Sequence, residues 1–328
     1  MTSLQYVSAK SEDGSPPSEP IISRRSSWTD RLVDARESFL DLITGTQSQL
    51  VLNAGDHEHS DLAAVDADIT ADLKRFMDMA KIEAIDAQGY NVDYKQLKGS
   101  PTYLEYRQNY SPRLKNFDPA LLASREEKLA FWINLYNALI IDGVIAGEIT
   151  KSVGPNSLAL IGFFRKTSYD IAGLRFNADD IEHGILRGNR GHPMIPGSQF
   201  ASQDRRLPWI IDPLDERIHF ALNCAGRSCP PIQVYSAEKI GEQLDMAARN
   251  FVDADLQIDQ ERNTAHISAI FKWFAGDFGG QRGVIEFLIK HLNAGDRKEW
   301  LVKHHNTVTF KYKTYDWGVN SANLGFAD

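Results

Sequence analysis

One segment limits the possible folds of this sequence more than any other. Residues 126–147 read EEKLAFWINLYNALIIDGVIAG, and apolar side chains occur on nearly every side of the helix that this stretch would form. A helix with one apolar stripe lies at the surface of a domain, whereas a helix that is apolar all round is usually buried. We therefore predict a central helix at 126–147 that is buried along most of its length.

The rest of the chain alternates between helical and strand patterns, and the helical patterns are more numerous. Apolar spacing and Gly stop signals predict further helices at 29–43, 66–87, 101–109, 179–188, 236–252, 270–274 and 284–292. Alternation predicts strands at 217–223, 264–267 and 307–312, and a hairpin at 169–176. The expected fold class is α+β: a mostly helical domain with a small, mainly antiparallel sheet that contains 217–223.

Two further segments have no regular pattern. Residues 1–27 are rich in Ser, Pro and Glu, and we predict a disordered tail followed by a single globular domain at 28–328. Residues 189–208 form a connection of about 20 residues, which is longer than most loops and favours a functional or covering role.

Composition and charge exclude several classes of function. The net charge is -8 and no basic stripe is present, which argues against a nucleic-acid partner. No apolar run approaches the roughly 18–20 residues of a membrane span, and the N-terminus lacks a secretory signal. Two cysteines are too few for a disulfide framework, so we expect a soluble cytoplasmic protein with reduced thiols. We predict no cofactor and no metal, and we interpret His57 and His59 as part of a solvated loop.

Both cysteines lie in one segment, RIHFALNCAGRSCPPI at 217–232. Cys224 follows the predicted strand at a turn that contains Gly226, and this arrangement resembles how enzymes display a nucleophile. Backbone N–H groups at 225–227 could hold an oxyanion, and Arg227 could favour a thiolate. The alternatives are that Cys224 is a buried cysteine that only fills space, or that it forms a redox pair with Cys229.

A cysteine nucleophile requires a base, and the sequence offers several histidines. His183 lies in DDIEHGILRG, where Gly184 should keep its surroundings open, and the adjacent Glu182 points about 100° away on a helix. His219 and His266 are rival bases. Asn137, on the central helix, could orient a catalytic histidine, or could instead tie a loop to the helix through buried hydrogen bonds.

The quoted blocks resemble a known family. EEKLAFWINLYNALI, DIEHGILRG, RIHFALNCAGRSCPPI and YDWGVN, in this order, are similar to the domain of unknown function 547 family. The resemblance covers about 94–320 and is densest at 118–252. It implies that the family's polar motif positions are Asn134, Asn137, Glu182, His183, Arg187, Asn223, Cys224 and Cys229.

Three hypotheses follow for the function. The first is a cysteine-dependent hydrolase or acyl transferase, in which Cys224 attacks a carbonyl, His183 moves the proton, and Glu182 or Asn137 supports it. Its substrate would be a small molecule or a peptide of unknown identity. The second is a non-catalytic interaction domain with a protein partner and a buried polar network. The third is a thiol-redox or metal module that uses Cys224 and Cys229.

Overall fold

The long apolar helix lies at the centre of the fold. The computed structural model describes residues 28–44, 50–54, 69–154 and 157–323, and the predicted tail at 1–27 lies outside the described residues. Helix α5 spans Arg125–Ala146, and every residue from 129 to 145 is buried. A capping box starts the helix, because the Ser124 hydroxyl accepts the Glu127 N–H and the Glu127 carboxylate accepts the Ser124 N–H. The prediction of a buried central helix is confirmed.

Helix α5 also passes the length and composition test for a membrane span, which differs from the sequence expectation. In the structure, 94% of its most apolar 18-residue window is buried inside the fold. Such burial is that of a core helix, whose apolar surface is already removed from water by the surrounding elements.

Nine further α-helices occur in the described residues. They are α1 (Trp28–Thr44), α2 (Ile69–Ala84), α3 (Tyr94–Lys98), α4 (Pro101–Glu105), α6 (Ser157–Lys166), α7 (Ile240–Asp255), α8 (Ile270–Trp273), α9 (Gly280–His291) and α10 (Asp296–His304). Turns of π-helix cover Tyr106–Tyr110 and Asp180–Leu186. Turns of 3-10 helix cover Ser111–Asn116, Pro119–Leu121, Leu207–Trp209, Glu216–Phe220 and Ala237–Lys239.

The strands in the described residues form two small sheets. Their bounds are β1 (Leu50–Val51), β2 (Thr167–Ile171), β3 (Leu174–Asn177), β4 (Gln257–Asp259), β5 (Thr264–Ile267) and β6 (Thr309–Tyr312). In the first sheet β2 pairs with β1 in parallel and with β3 antiparallel. In the second, β5 pairs with β4 antiparallel and with β6 in parallel. The α+β class and the hairpin are confirmed, but both sheets are mixed rather than mainly antiparallel.

The predicted strand at 217–223 is wrong. Residues Glu216–Phe220 form a turn of 3-10 helix, and the Asp215 carboxylate caps it by accepting the Arg217 N–H at 3.1 Å. All of residues 218–223 are buried, so the alternation in the sequence does not separate an apolar face from a polar one. The Asp215 cap gives the Arg217 N–H an acceptor, so this backbone group needs no partner strand.

Two hydrophobic clusters form the interior of the described chain. The larger surrounds α5, and the smaller lies between α7, α9 and the second sheet. The turn Glu216–Phe220 joins them, because Ile218 belongs to the larger cluster and Phe220 to the smaller. Cys224 comes four residues later, so the fold places it near the junction of the two clusters.

The buried position of α5 predicts a large penalty for truncating its core residues. Leu139 is fully buried, so Leu139→Ala should lower the free energy of unfolding by about 2–5 kcal/mol. Ile82→Ala removes as many carbon atoms from a side chain that is 77% exposed, and should cost under about 0.5 kcal/mol. Urea denaturation of both variants measures the difference, and equal costs would contradict a central α5.

Candidate active site

A cavity of about 450 Å³ opens where the two hydrophobic clusters meet. Its apolar wall includes Leu160, Phe164, Leu222, Trp273, Phe274 and Trp317. Its polar wall consists of Tyr136, Asp179, Glu182, His183, His192, His219, Cys224 and Tyr315. Three of the five residues predicted as catalytic, Glu182, His183 and Cys224, therefore line one cavity. Part of the long connection, 192–195, covers it, as its length suggested.

Asn137 fastens the loop that carries Cys224. Its side-chain amide donates to the Ala221 carbonyl at 3.0 Å, and its carbonyl oxygen accepts the Asn223 N–H at 2.9 Å. Asn223 continues the chain of bonds by donating to the Pro230 carbonyl at 2.7 Å and accepting the Ala225 N–H at 2.9 Å. Asn137 thus positions the cysteine loop rather than a histidine, and Asn134 holds the backbone of Tyr235 in the same way.

The two cysteines form a disulfide in the structure. Ala225 has a φ of +61°, a left-handed conformation that turns the chain back, and the Cys229 N–H then donates to the Gly226 carbonyl at 3.0 Å. This turn brings together sulfurs that are five residues apart. The structure differs here from the expectation of two free thiols, because in the disulfide form neither sulfur is a nucleophilic thiolate.

The environments of the two sulfurs are unequal. Cys224 is half-buried and lines the cavity, whereas Cys229 is only 3% exposed. The Cys224 N–H donates to the Cys229 Sγ at 3.1 Å. The Tyr315 hydroxyl lies 3.1 Å from the Cys229 Sγ and 3.3 Å from the Cys224 Sγ. Two hydrogen-bond donors are therefore available to the buried sulfur.

Tyr315 is a functional candidate that the sequence reasoning missed. Its ring packs against Trp273 at 4.9 Å and Trp317 at 4.5 Å between centroids. Burial, with a smaller effect of nearby Glu182, raises the pKa of Tyr315 above its ordinary value, so the phenol remains a neutral donor. The block YDWGVN contained this residue, but nothing in the sequence connects it to cysteines some 90 positions earlier.

Two of the three backbone N–H groups predicted to form an oxyanion hole after Cys224 have partners within the fold. The Ala225 N–H is bonded to the Asn223 side chain, and the Arg227 N–H donates to the Gly318 carbonyl at 2.8 Å. Arg227 itself is exposed and lies 3.7 Å from Asp316. The N–H groups of Ala225 and Arg227 are therefore used within the fold and are not available to a substrate.

Glu182 lies on the π-helical turn Asp180–Leu186 and faces the cavity. The Tyr136 hydroxyl donates to Glu182 Oε2 at 3.0 Å. Burial raises the pKa of Glu182 to about 7, although Arg187 and the Tyr136 hydrogen bond oppose the rise. Burial likewise raises the pKa of Asp179, next to it on the cavity wall, to about 8. Both carboxyl groups can therefore gain or lose a proton near neutral pH.

His183 is held in one tautomer by Arg187. The guanidinium Nη1 lies 3.1 Å from His183 Nδ1 and can only donate, so Nδ1 is the acceptor and the neutral ring carries its proton on Nε2. Burial, with the charge of Arg187, lowers the pKa of His183 well below its ordinary value. His183 is thus a neutral Nε2–H donor, which cannot take a proton at that nitrogen. The prediction that Gly184 keeps the surroundings of His183 open is also wrong, because a Cβ at position 184 would lie 2.2 Å from the Phe200 ring.

Arg187 in turn is held by Asp277. The carboxylate accepts two hydrogen bonds from Arg187, at 2.6 and 3.1 Å, and lies 2.9 Å from His219 Nε2. Burial would raise the pKa of Asp277, but the hydrogen bonds from His219 and Arg187 hold it below its ordinary value. His219, a rival base in the sequence, is therefore bonded to Asp277 on the cavity wall. The other rival, His266, lies on β5 and does not line the cavity.

The fold and site define an α+β protein with a disulfide and two buried carboxyl groups around one cavity. Residues 120–252 match the family described as Protein of unknown function, DUF547, and the predicted resemblance to this family is confirmed. Comparisons with curated proteins and with solved structures gave no match.

The matched segment includes the candidate residues Asn137, Glu182, His183, Cys224 and Cys229. It does not include Tyr315 or Asp277, which complete the site from the C-terminal part of the chain. No cluster of three His, Cys, Asp or Glu side chains suited to a metal ion occurs in the described ranges. His57 and His59 lie outside those ranges.

The raised pKa of Glu182 predicts a stability effect that depends on pH. Below pH 4.5, the ordinary value, the carboxyl group is protonated in both states, and above about pH 7 its burial as an anion opposes folding. Glu182→Gln removes that cost and keeps an acceptor for Tyr136. The variant should be more stable than the wild type by roughly 1–3 kcal/mol at pH 8 and by less, under about 1 kcal/mol, at pH 5.

Chemical denaturation at the two pH values measures this difference. The control is Glu261→Gln, at an exposed position, which should change stability little at either pH. An equal effect of Glu182→Gln at pH 5 and pH 8 would show that the carboxyl group titrates normally.

Proposed function

We propose that the protein is a thiol–disulfide oxidoreductase that acts on a small molecule in this cavity, with Cys224 and Cys229 as its redox pair. The inequality of the two sulfurs carries the proposal. Cys224 is accessible from the cavity, whereas Cys229 is buried and next to two hydrogen-bond donors. A sulfur that receives hydrogen bonds is stabilised as a thiolate, and the sulfur with the lower pKa is the better leaving group.

The first half of the reaction follows from this inequality. A substrate thiolate enters the cavity and attacks Cys224 Sγ, forming a new S–S bond. The Cys224–Cys229 bond breaks, and Cys229 leaves with the electron pair as a thiolate. The Cys224 N–H and the Tyr315 hydroxyl donate hydrogen bonds to that thiolate.

A second substrate thiolate completes the oxidation. It attacks the substrate sulfur of the mixed disulfide and releases Cys224 as a thiolate. The products are a substrate disulfide and the protein dithiol, so two electrons pass from two thiols to the cysteine pair. A different disulfide molecule then reoxidises the protein by the same steps in reverse.

The proposal is compatible with the cytoplasmic location that the composition suggests. A disulfide in a reducing cytosol is usually transient and catalytic rather than structural. We propose that the pair cycles between the two states there, with the half-buried Cys224 as the sulfur that meets substrates.

A cysteine-dependent hydrolase or acyl transferase is the second candidate. It is favoured by the presence of Cys224, Glu182 and His183 on one cavity wall. The pair would have to be reduced first, and Glu182 rather than His183 would accept the thiol proton, because Arg187 occupies His183 Nδ1. His183 would then donate its Nε2–H to the substrate carbonyl.

Trapping of a mixed disulfide tests the redox proposal. The Cys229→Ser variant keeps the accessible thiol of Cys224, whereas the Cys224→Ser variant keeps only the buried thiol of Cys229. Cys229→Ser should therefore form an adduct with bis(2-hydroxyethyl) disulfide at least about tenfold faster than Cys224→Ser. Intact-protein mass spectrometry follows the adduct, and the double serine variant is the control. Equal rates, or no adduct with either variant, would contradict the assigned roles.

A second measurement separates the two enzyme hypotheses from the interaction domain. The oxidoreductase should catalyse exchange between benzyl mercaptan and bis(2-hydroxyethyl) disulfide without prior reduction, and lose this activity in Cys224→Ser. A hydrolase should instead cleave a thioester only after reduction with a phosphine, and should need Cys224 but not Cys229. If the wild type shows neither activity, the result would favour a non-catalytic protein with a protein partner.

A further inference from the structure

The cavity wall carries no fixed positive charge. None of the described residues that line it is Lys or Arg, and its two carboxyl groups are Asp179 and Glu182. Burial lowers the pKa of His192 to about 4 and also lowers that of His183 and His219, so all three rings are neutral at pH 7. An anionic ligand would gain no ion pair there and would be repelled whenever a carboxyl group is ionised.

Most of the wall is apolar. Leu160, Phe164, Ile195, Leu222, Trp273 and Phe274 face the cavity. Ligand cavities of this size usually bind through such side chains, while a few polar groups fix the orientation of the ligand. The body of the ligand is therefore apolar or aromatic.

One polar group on this wall lacks a partner. His183 is 4% exposed, and its Nε2–H donates no hydrogen bond to any described residue. The nearest carboxylate oxygen, Asp179 Oδ1, is 3.9 Å away, which is too far for a hydrogen bond. Because His183 lines the cavity, a ligand oxygen there would supply the acceptor for this N–H.

Glu182 stands next to this donor on the same turn of helix. Its Oε1 lies 3.8 Å from His183 Nδ1, and its Oε2 accepts from Tyr136. A proton acceptor and a neutral hydrogen-bond donor thus occur side by side, within the same cavity as Cys224.

We propose that the substrate is a small, uncharged, largely apolar thiol that carries a carbonyl oxygen close to its sulfur. His183 donates its Nε2–H to the carbonyl oxygen, and Glu182 accepts the thiol proton. This inference rests on the proposed oxidoreductase function and names the substrate class of the same site. Both side chains are catalytic residues in this assignment, because each touches the substrate.

The proton transfer and the exchange step are balanced. The Glu182 carboxylate takes the S–H proton, and the sulfur keeps the bonding pair. The resulting thiolate attacks Cys224 Sγ, and Cys229 leaves with the pair of the broken S–S bond. The groups that surround Glu182 are Tyr136 from α5, Tyr315 from the C-terminal segment, Asp277 after α8, and Asp179, His183 and Arg187 from its own segment.

Three thiols test the substrate class on the wild-type protein. N-phenyl-2-mercaptoacetamide has the carbonyl, 2-phenylethanethiol has a similar apolar body without it, and thioglycolate is an anion. For each thiol, we measure the rate at which it reduces the Cys224–Cys229 disulfide and the rate at which it reduces bis(2-hydroxyethyl) disulfide in solution. The first rate divided by the second is the corrected rate, from which the intrinsic reactivity of the thiol has been removed. The corrected rate of the amide should exceed each of the other two at least about tenfold, since one hydrogen bond is worth about 1.4 kcal/mol.

Substitutions then assign the two roles. His183→Phe should reduce the corrected rate of the amide to that of 2-phenylethanethiol, whereas His183→Gln, which keeps an N–H donor, should restore part of the preference. Glu182→Gln should slow both neutral thiols at least about tenfold and remove the rise of rate with pH near pH 7.

The outcomes distinguish this inference from the proposed function. Reduction of the disulfide by none of the three thiols would overturn the oxidoreductase itself. Equal corrected rates for all three would overturn the substrate class and leave the oxidoreductase in place. Because these comparisons use the wild type, they decide the question even where a His183 variant fails to fold.

Discussion

The two hydrogen bonds between Asn137 and the backbone at Ala221 and Asn223 are the contact on which the candidate site depends. They join the buried part of helix α5 to the loop that carries both cysteines. A buried amide without partners would cost several kcal/mol, so the loop and the helix stabilise each other in one arrangement. Asn223 extends this arrangement to Ala225 and Pro230 and thereby fixes the turn that brings the two sulfurs together.

The chemistry of the cavity depends on a second fixed contact, between Arg187 and His183. Because Arg187 is always a donor, it determines which nitrogen of His183 carries the proton. Asp277 holds Arg187 from the other side with two hydrogen bonds, so the guanidinium is not free to pair with Glu182. Burial can then raise the pKa of Glu182 into the range that suits proton transfer.

Prediction from the sequence succeeded where the pattern was long and failed where it was short. The 22 residues of α5 and the hairpin of β2 and β3 were predicted because burial on all sides and a tight turn leave clear patterns. The prediction of a strand at 217–223 was wrong because residues 218–223 are all buried, and six consecutive buried residues do not distinguish the period of a strand from that of a helix. Helix α10 was missed because it buries Leu301 alone and so has no apolar stripe.

Local sequence was enough to predict the buried central helix, the cysteine segment and the placement of Glu182 and His183 on one short helical turn. Each follows from local composition, which acts over a few residues. The chemical roles of these groups, in contrast, depend on residues that the fold brings to them from other parts of the chain. Asp277 holds the Arg187 that contacts His183, and the Tyr315 hydroxyl lies next to both sulfurs. Both residues come from a distant, C-terminal part of the chain. Proton positions and sulfur reactivity depend on such neighbours, and no local pattern records them.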